Sequence, residues 1–315
     1  MNIFTPADKP TIYFIGVTTR KSSIMKVFPA WAKHLKLGDV AIQGFDLKLH
    51  DEPARYRAVV DFIKGDPLSL GALVTTHKID LLKACRDQFD DLDEYAQLMG
   101  EVSSISKRNG RLVGHAKDPI TSGLALEAFL PAQHWTRTGA EAFVLGAGGS
   151  AIAITWHMMQ PKQGANRPSK ILVANRSAPR LHEMREIHEK RHAGVPVEYH
   201  TTPTPDLSDA LLARLKPGSL VINATGLGKD APGSPLTDAA VFPENGWVWE
   251  FNYRGDLVFL EQARRQQRQR HLTIEDGWVY FLHGWTRVVA EVFHVDIPVR
   301  GPVFEEISKI AREAK

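Results

Sequence analysis

The stretch VLGAGGSA, Val144 to Ala151, decides how this chain is read. The apolar run AFV leads into it and the helix-forming run SAIAITWHMM leads out. In such a strand–turn–helix, Gly146 makes the tight turn and Gly148 lets the backbone approach a pyrophosphate. Ala151 takes the place of a third glycine and still permits close packing of helix on sheet. The backbone from Ala147 through Gly149 and Ser150 then points helix N–H groups at the phosphates. A glycine motif alone is weak, but a strand before it and a helix behind it favour dinucleotide binding over a purely structural turn.

The next apolar run, ILVA, ends in NRSAPR, Asn175 to Arg180. A ribose with a free 2′-hydroxyl is usually met by Asp or Glu at this point, and a 2′-phosphate by cations. Here Arg176, Ser177 and Arg180 surround the position with no acid among them. Guanidinium forks suit phosphate oxygens, so NADP is favoured over NAD. Two surface arginines at a helix start are the plainer alternative.

Working outward, 315 residues suffice for two cores. Before the glycine loop, strand-like and helix-like segments alternate: TIYFIGV, then 23–34; VAIQGFDL, then 53–64; LGALVTT, then 79–87. That alternation predicts βαβ units and a parallel sheet. EVSSISKRNGRLVGH follows as a hairpin turning at Asn109-Gly110. PAQHWTRTGAE, 131–141, reads as a connector to a second α/β series, which runs through PVEYH and SLVINATG to WVWEFNY. From Gly277 the sequence turns helical. The expected fold is therefore α/β with two domains. Residues 1–130 with 277–315 form a substrate domain, and 131–276 a Rossmann-type NADP-binding domain, with the C-terminal helices returning to the first.

Composition narrows the function. A net charge of +3 is too small to argue for nucleic acid or a membrane surface. The basic run RRQQRQRH, Arg264 to His271, lacks interleaved aromatics and reads as a solvated helix face. The single cysteine, Cys85, excludes an internal disulfide or a cysteine-rich zinc site, and its helical position predicts burial. No window approaches the ~18 apolar residues of a membrane span, and the N-terminus reads as a first strand rather than a signal peptide. A cytoplasmic protein acting on a small molecule is expected, with a homodimer left open.

The order of segments VLGAGGSA, NRSAPR and VINATGLG resembles the NADP domain of the shikimate/quinate dehydrogenase family. GALVTTHK (71–78) is similar to that family's Gly-x-Asn-Val-Thr…Lys segment, and GHAKD (114–118) to its Gly-x-Asn-Thr-Asp segment. WEFNYRGDLVFLEQA and LHGWTRVVAEVF resemble its closing segments, so the likeness spans nearly the whole chain. The resemblance implies a lysine–aspartate acid/base pair at Lys78 and Asp118. It also implies cofactor contacts from Asn223, Ala224, Thr225 and Gly226, and substrate contacts from Thr75 and Tyr253. The chemistry is coherent, since oxidising a secondary alcohol removes the hydroxyl proton and reducing the ketone returns it.

Departures fall where the family grips its substrate. Leu73 stands at an asparagine position, and Ser103 at the asparagine of a Gly-Ala-Val-Asn-Thr segment. Ala116-Lys117 replaces Asn-Thr, and His283 replaces a late glutamine. The Ser-x-Ser pair that holds a carboxylate corresponds loosely to Ser22 and Ser23, with Arg20, Lys21 and Arg254 as further anion-binding candidates. A site that loses polar partners loses discrimination for the hydroxyls they bound. The expected activity is thus reversible, NADP-dependent interconversion of a cyclic polyhydroxy, carboxylated alcohol and its ketone, such as shikimate and 3-dehydroshikimate. Quinate or another analogue is close behind. A non-catalytic sensor of NADP or a metabolite is the alternative from another class. A relative of glutamyl-tRNA reductase is disfavoured, because Cys85 lies mid-helix rather than near the N-terminus. HEKRH, His188 to His192, fits a zinc-protease pattern, but its charge-rich surroundings favour a solvated helix face, and no metal is expected.

Overall fold

The computed structural model describes residues 4–190, 194–229 and 231–314. The chain divides into two compact units, Met1–Asp118 with Leu282–Lys315, and Pro119–Phe281.

The first unit opens with three strand–helix repeats. They are β1 (Thr11–Gly16) and α1 (Ile24–His34), β2 (Ala41–Asp46) and α2 (Pro53–Gly65), and β3 (Ser69–Val74) and α3 (Lys78–Cys85). β1 is buried along its whole length, as an uninterrupted apolar run in a central parallel strand should be. The short β4 (Asp91–Leu92) leads to α4 (Glu94–Met99), where the Asp93 carboxylate caps the helix by accepting from the Ala96 N–H at 2.7 Å. Gly100, at φ +65°, ends that helix in the left-handed region. The expected hairpin is β5 (Ser104–Arg108) and β6 (Arg111–His115), with Asn109 and Gly110 both at positive φ in its turn. The sheet order is β2-β1-β3-β5-β6-β4. β1 pairs parallel with β2 and β3, while β3 meets β5 antiparallel, so the hairpin makes this sheet mixed.

α5 (Asp118–Phe129) and α6 (His134–Thr138) lead into the second unit. Thus one helical turn occupies part of the segment that sequence treats as a plain connector. β7 (Ala142–Leu145), α7 (Gly149–Met158), β8 (Ile171–Asn175), α8 (Ala178–Glu189) and β9 (Val197–Thr201) follow. Next come α9 (Pro205–Leu212), β10 (Leu220–Asn223), β11 (Trp247–Glu250), α10 (Val258–Arg270) and β12 (Thr273–Glu275). All six strands pair parallel, in the order β12-β11-β10-β7-β8-β9. Counted from the unit's own first strand this is the 3-2-1-4-5-6 order of a Rossmann sheet. The order reverses between β7 and β10, and the crevice beyond the strand ends at that reversal is where such sheets bind ligands.

α11 (Trp278–Phe293) and α12 (Pro302–Ala314) close the chain. From Leu282 onward they belong to the first unit, where the Trp31 indole N–H on α1 donates to the Ile307 carbonyl on α12 at 2.9 Å. The division between units falls at the first residue of α5 and within α11, whereas sequence places it at 130/131 and 276/277. Both cuts interrupt helical segments, so no linker composition marks them. Among the described residues no helix is long and apolar enough to cross a membrane.

Candidate active site

At the end of β3 the chain makes a compact turn that sets the first functional group. The Thr75 N–H donates to the Ile15 carbonyl at 3.0 Å, Thr76 turns through φ +60°, and Lys78 opens α3. Asp118 opens α5 three residues after β6 ends. These two ends converge: Lys78 Nζ donates to Asp118 Oδ2, and the side chains are 13% and 9% exposed. Burial alone would lower the Lys78 ammonium. The Asp118 charge, the Glu101 charge and the hydrogen bond to Asp118 outweigh it and hold the group above its ordinary value. Lys78 is thus held as an ammonium. His77, beside it in sequence, is 1% exposed and held below its ordinary value by burial, with its Nδ1 3.2 Å from the Tyr56 hydroxyl. It is a core histidine.

The backbone draws Thr75, Lys78, Ser103 and Asp118 to one place, since the Val74 N–H donates to the Ser103 carbonyl and the Val102 N–H to the Lys78 carbonyl. Ser103, expected as a substrate contact, lies at this place. It is 3% exposed, and its hydroxyl oxygen accepts from the Lys117 N–H at 2.7 Å, inside the protein. His283, another expected contact, is buried as well. Only 2% exposed, it stacks on Phe304 at 4.6 Å, and burial with the Arg287 charge holds it down at about 4. Leu73 and Ala116 are buried apolar residues. Ser22 is buried at the start of α1, Ser23 is half-buried, and Arg20 and Lys21 are exposed one turn earlier. Lys117 is neutralised by Glu291 at 2.8 Å, and His115 lies 3.4 Å from the other oxygen of that carboxylate. In the second unit Tyr253 packs its ring against Phe281 and Trp278, with Arg254 half-buried beside it.

Glu101 was not legible as a site residue. It lies in the loop between α4 and β5, is 1% exposed, and its charge interacts with Lys78 and Asp118. The signal available was a carboxylate standing where the family segment quoted above has alanine.

The glycine loop sits where the second sheet reverses. Gly146 follows β7 at φ +115°, and a side chain there would place its Cβ 2.8 Å from the Ala224 carbonyl oxygen. Gly148 is exposed, and a Cβ there would meet nothing within 4 Å, so the loop leaves room for a ligand against its backbone. Ala147 and Ala151 are buried, and Gly149 and Ser150 form the half-exposed first turn of α7. This cradle fits a pyrophosphate. Past β8, the Asn175 amide donates to the Ser177 carbonyl, and Arg176 and Ser177 are exposed. Arg180 is already paired with Glu183 at 2.8 Å, leaving Arg176 the more available cation. Asn223 is fully buried: its amide donates to Glu250 at 2.6 Å and its carbonyl oxygen accepts from the Thr225 hydroxyl at 2.6 Å. It therefore shapes the loop, while Ala224, Thr225 and Gly226 form the accessible edge.

His188 departs from the expected solvated face. It is 6% exposed, bonded to Thr155 at 2.9 Å and Tyr199 at 2.7 Å, and burial lowers it to about 4. The charged composition of α8 concealed one inward-facing row: Leu181, Met184 and His188. His192 lies outside the described residues, and among those described no cluster of His, Cys, Asp or Glu is arranged to hold a metal.

No family model matches the chain. It is 30% identical to the shikimate dehydrogenase (NADP(+)) of Symbiobacterium thermophilum over 218 residues, 68% of each protein. It is also 30% identical to that of Lactococcus lactis subsp. cremoris over 57% of this chain and 60% of the relative. The shikimate 5-dehydrogenase of Thermus thermophilus, solved with NADP(H) and shikimate, superposes at a TM-score of 0.67. That match is 20% identical and covers 97% of this chain and 99% of the other, which establishes the shared fold. Identity at this level across two thirds of the chain, on the same two-sheet architecture, has one explanation: the chain belongs to the shikimate dehydrogenase family.

Proposed function

We propose that this protein is an NADP-dependent oxidoreductase that interconverts a cyclic polyhydroxy, carboxylated alcohol and its ketone, with shikimate and 3-dehydroshikimate as the leading pair. One observation carries the reading: a buried lysine held as an ammonium by an aspartate, Lys78 and Asp118. The named activity of the Symbiobacterium relative and the ligands of the Thermus structure support it.

The Gly146–Ala151 loop would hold NADP, with Arg176 and Ser177 at its 2′-phosphate, and the bound cofactor would supply or take the hydride. Lys78 gives its proton to the carbonyl oxygen in reduction and takes the hydroxyl proton in oxidation. Asp118 fixes the ammonium in place and stabilises its charge. Ser22, Ser23, Thr75, Ser103, Tyr253 and His283 are the candidate substrate contacts, and the single buried cysteine suits a reducing cytoplasm.

A second substrate reading has its own support. Four positions that carry amides in the family offer none here: Leu73 and Ala116 are apolar, and Ser103 and His283 are buried. Quinate or a less hydrogen-bonded analogue would ask less of such a pocket.

Initial rates with NADP and NAD on shikimate and quinate test the assignment. Lys78→Ala should lower turnover about 10²–10⁴-fold while NADP affinity is unchanged. Tight NADP binding without turnover of any such alcohol or ketone by the wild type would favour a sensor instead.

A further inference from the structure

The loop after β10 is held by a closed ring of hydrogen bonds, and a buried carboxylate closes it. Glu250, the last residue of β11, has no exposed surface. Its Oε2 accepts from the Asn223 amide at 2.6 Å. Its Oε1 accepts from the Asn252 N–H at 2.8 Å and the Asn252 amide at 2.7 Å. The Asn223 carbonyl oxygen accepts in turn from the Thr225 N–H at 3.1 Å and the Thr225 hydroxyl at 2.6 Å. That hydroxyl oxygen accepts from the Leu227 N–H at 3.2 Å, and the Asn252 amide donates to the Leu227 carbonyl at 3.3 Å. The ring therefore runs from Glu250 through Asn223, Thr225, Leu227 and Asn252 back to Glu250, with Gly226 exposed between Thr225 and Leu227.

A carboxylate only accepts, so it turns the amide nitrogens of both asparagines towards itself. For Asn223 that leaves the carbonyl oxygen to face Thr225. The sheet does not need this group, because β10 and β11 already pair through their backbones. A buried charge is also a costly way to join two strands that an apolar residue could pack together. What the carboxylate sets is the loop, and the loop borders the cofactor cradle: a Cβ on Gly146 would lie 2.8 Å from the Ala224 carbonyl oxygen.

We propose that Glu250 is a positioning residue for NADP, fixing the sense of Asn223 and through it the place of Thr225 and Gly226. Fully buried, it touches no ligand and acts only through the ring. This deepens the NADP-dependent reading above and rests on it.

The test exchanges the polarity of one bond. Glu250→Gln keeps an oxygen for Asn252 but turns an NH2 group towards the Asn223 amide. Asn223 then either faces a second donor or flips and presents its own NH2 to the Thr225 N–H. Asn223→Asp sets two carboxylates face to face. In the double variant the new amide donates to the new carboxylate, which still accepts from Thr225. Burial pushes the Glu250 carboxyl up to about 7 against its hydrogen bonds and Lys229, so measurement at about pH 8 keeps it ionised.

By calorimetry each single variant should bind NADP about tenfold or more weakly, and the double should return to within about threefold of the wild type. In the ligand-free proteins, hydrogen exchange at the Thr225 and Leu227 amides should quicken about tenfold in the single variants and recover in the double. Should a single variant fail to fold, Asn252→Ala opens the ring at its other end and should weaken NADP binding about threefold. Unchanged NADP affinity in these variants, with only the melting temperature lowered, would make the ring merely structural. Losses that add in the double would mean that Glu250 does not set Asn223. Either result overturns the proposal. If the wild type binds NADP but leaves 3-dehydroshikimate unreduced, the proposed substrate fails and the affinity cycle still decides the role of Glu250. If the wild type binds no NADP, the cofactor reading itself fails and hydrogen exchange decides, with equal protection in all the variants counting against Glu250.

Discussion

At the scale of single residues, burial by itself does not separate an acid/base candidate from a core group, since Asp118 is 7% exposed and His188 6%. Lys78 and Asp118 were readable because GALVTTHK and GHAKD resemble the family segments that carry the pair. Glu101 and His188 were not, because their burial comes from packing between segments far apart in sequence. His188 offers a direct check. Its folded value of about 4 lies below the ordinary 6.5, so the unfolded chain binds the proton first as pH falls. Stability is then intact above about 6.5 and is lost as pH drops towards about 4. The full shift corresponds to about 3 kcal/mol. His188→Phe should remove this contribution, so the stability difference between variant and wild type, measured by urea unfolding, should change across that interval. A difference that stays constant with pH would show that His188 is not held neutral.

Glycines that look alike in sequence act differently at the scale of the element. The motif announced a strand, a loop and a helix, and β7 and α7 occupy those places. What it did not announce is that the loop is braced from a second strand end: the Ala224 N–H, just past β10, donates to the Leu145 carbonyl at 2.8 Å. Gly146 is held against that brace at a positive φ, so Gly146→Ala should cost about 1–3 kcal/mol of stability and lower the melting temperature. Gly148→Ala should leave the melting temperature within about a degree or two, because its Cβ enters open space. That same Cβ projects where the phosphates would approach, so NADP affinity should fall about tenfold or more. Calorimetry of both variants separates the roles, and equal effects on stability and affinity would refute the division. The short elements β4, α6 and β12 escaped notice because two to five residues carry too little periodicity to register.

For the molecule as a whole, chain order and structural unit do not coincide. The second unit is one continuous stretch, Pro119–Phe281, with its own sheet and core, while the first needs both ends of the chain. Two α/β series followed by a helical tail hinted at that return. The contacts that fix it could not be read, because Trp31 and Ile307 are joined only by folding. α12 buries Ile307, Ser308 and Ala311, accepts the Trp31 indole N–H, and carries the Phe304 ring that stacks on His283. Deleting residues 302–314 would expose fully buried Trp31 and leave its N–H without that acceptor. Losses of this kind cost about 3–5 kcal/mol, a large part of what holds a typical domain folded. The damage should be confined to one unit, since every strand of the nucleotide sheet and the whole glycine loop lie within 119–281. The truncated protein should therefore bind NADP with near-wild-type affinity in calorimetry, yet lose turnover and hydrogen-exchange protection in β1, β3 and α1. Protection lost equally in both sheets would mean the units unfold as one cooperative block. Full turnover after the deletion would mean that α12 contributes nothing to the unit bearing Lys78 and Asp118.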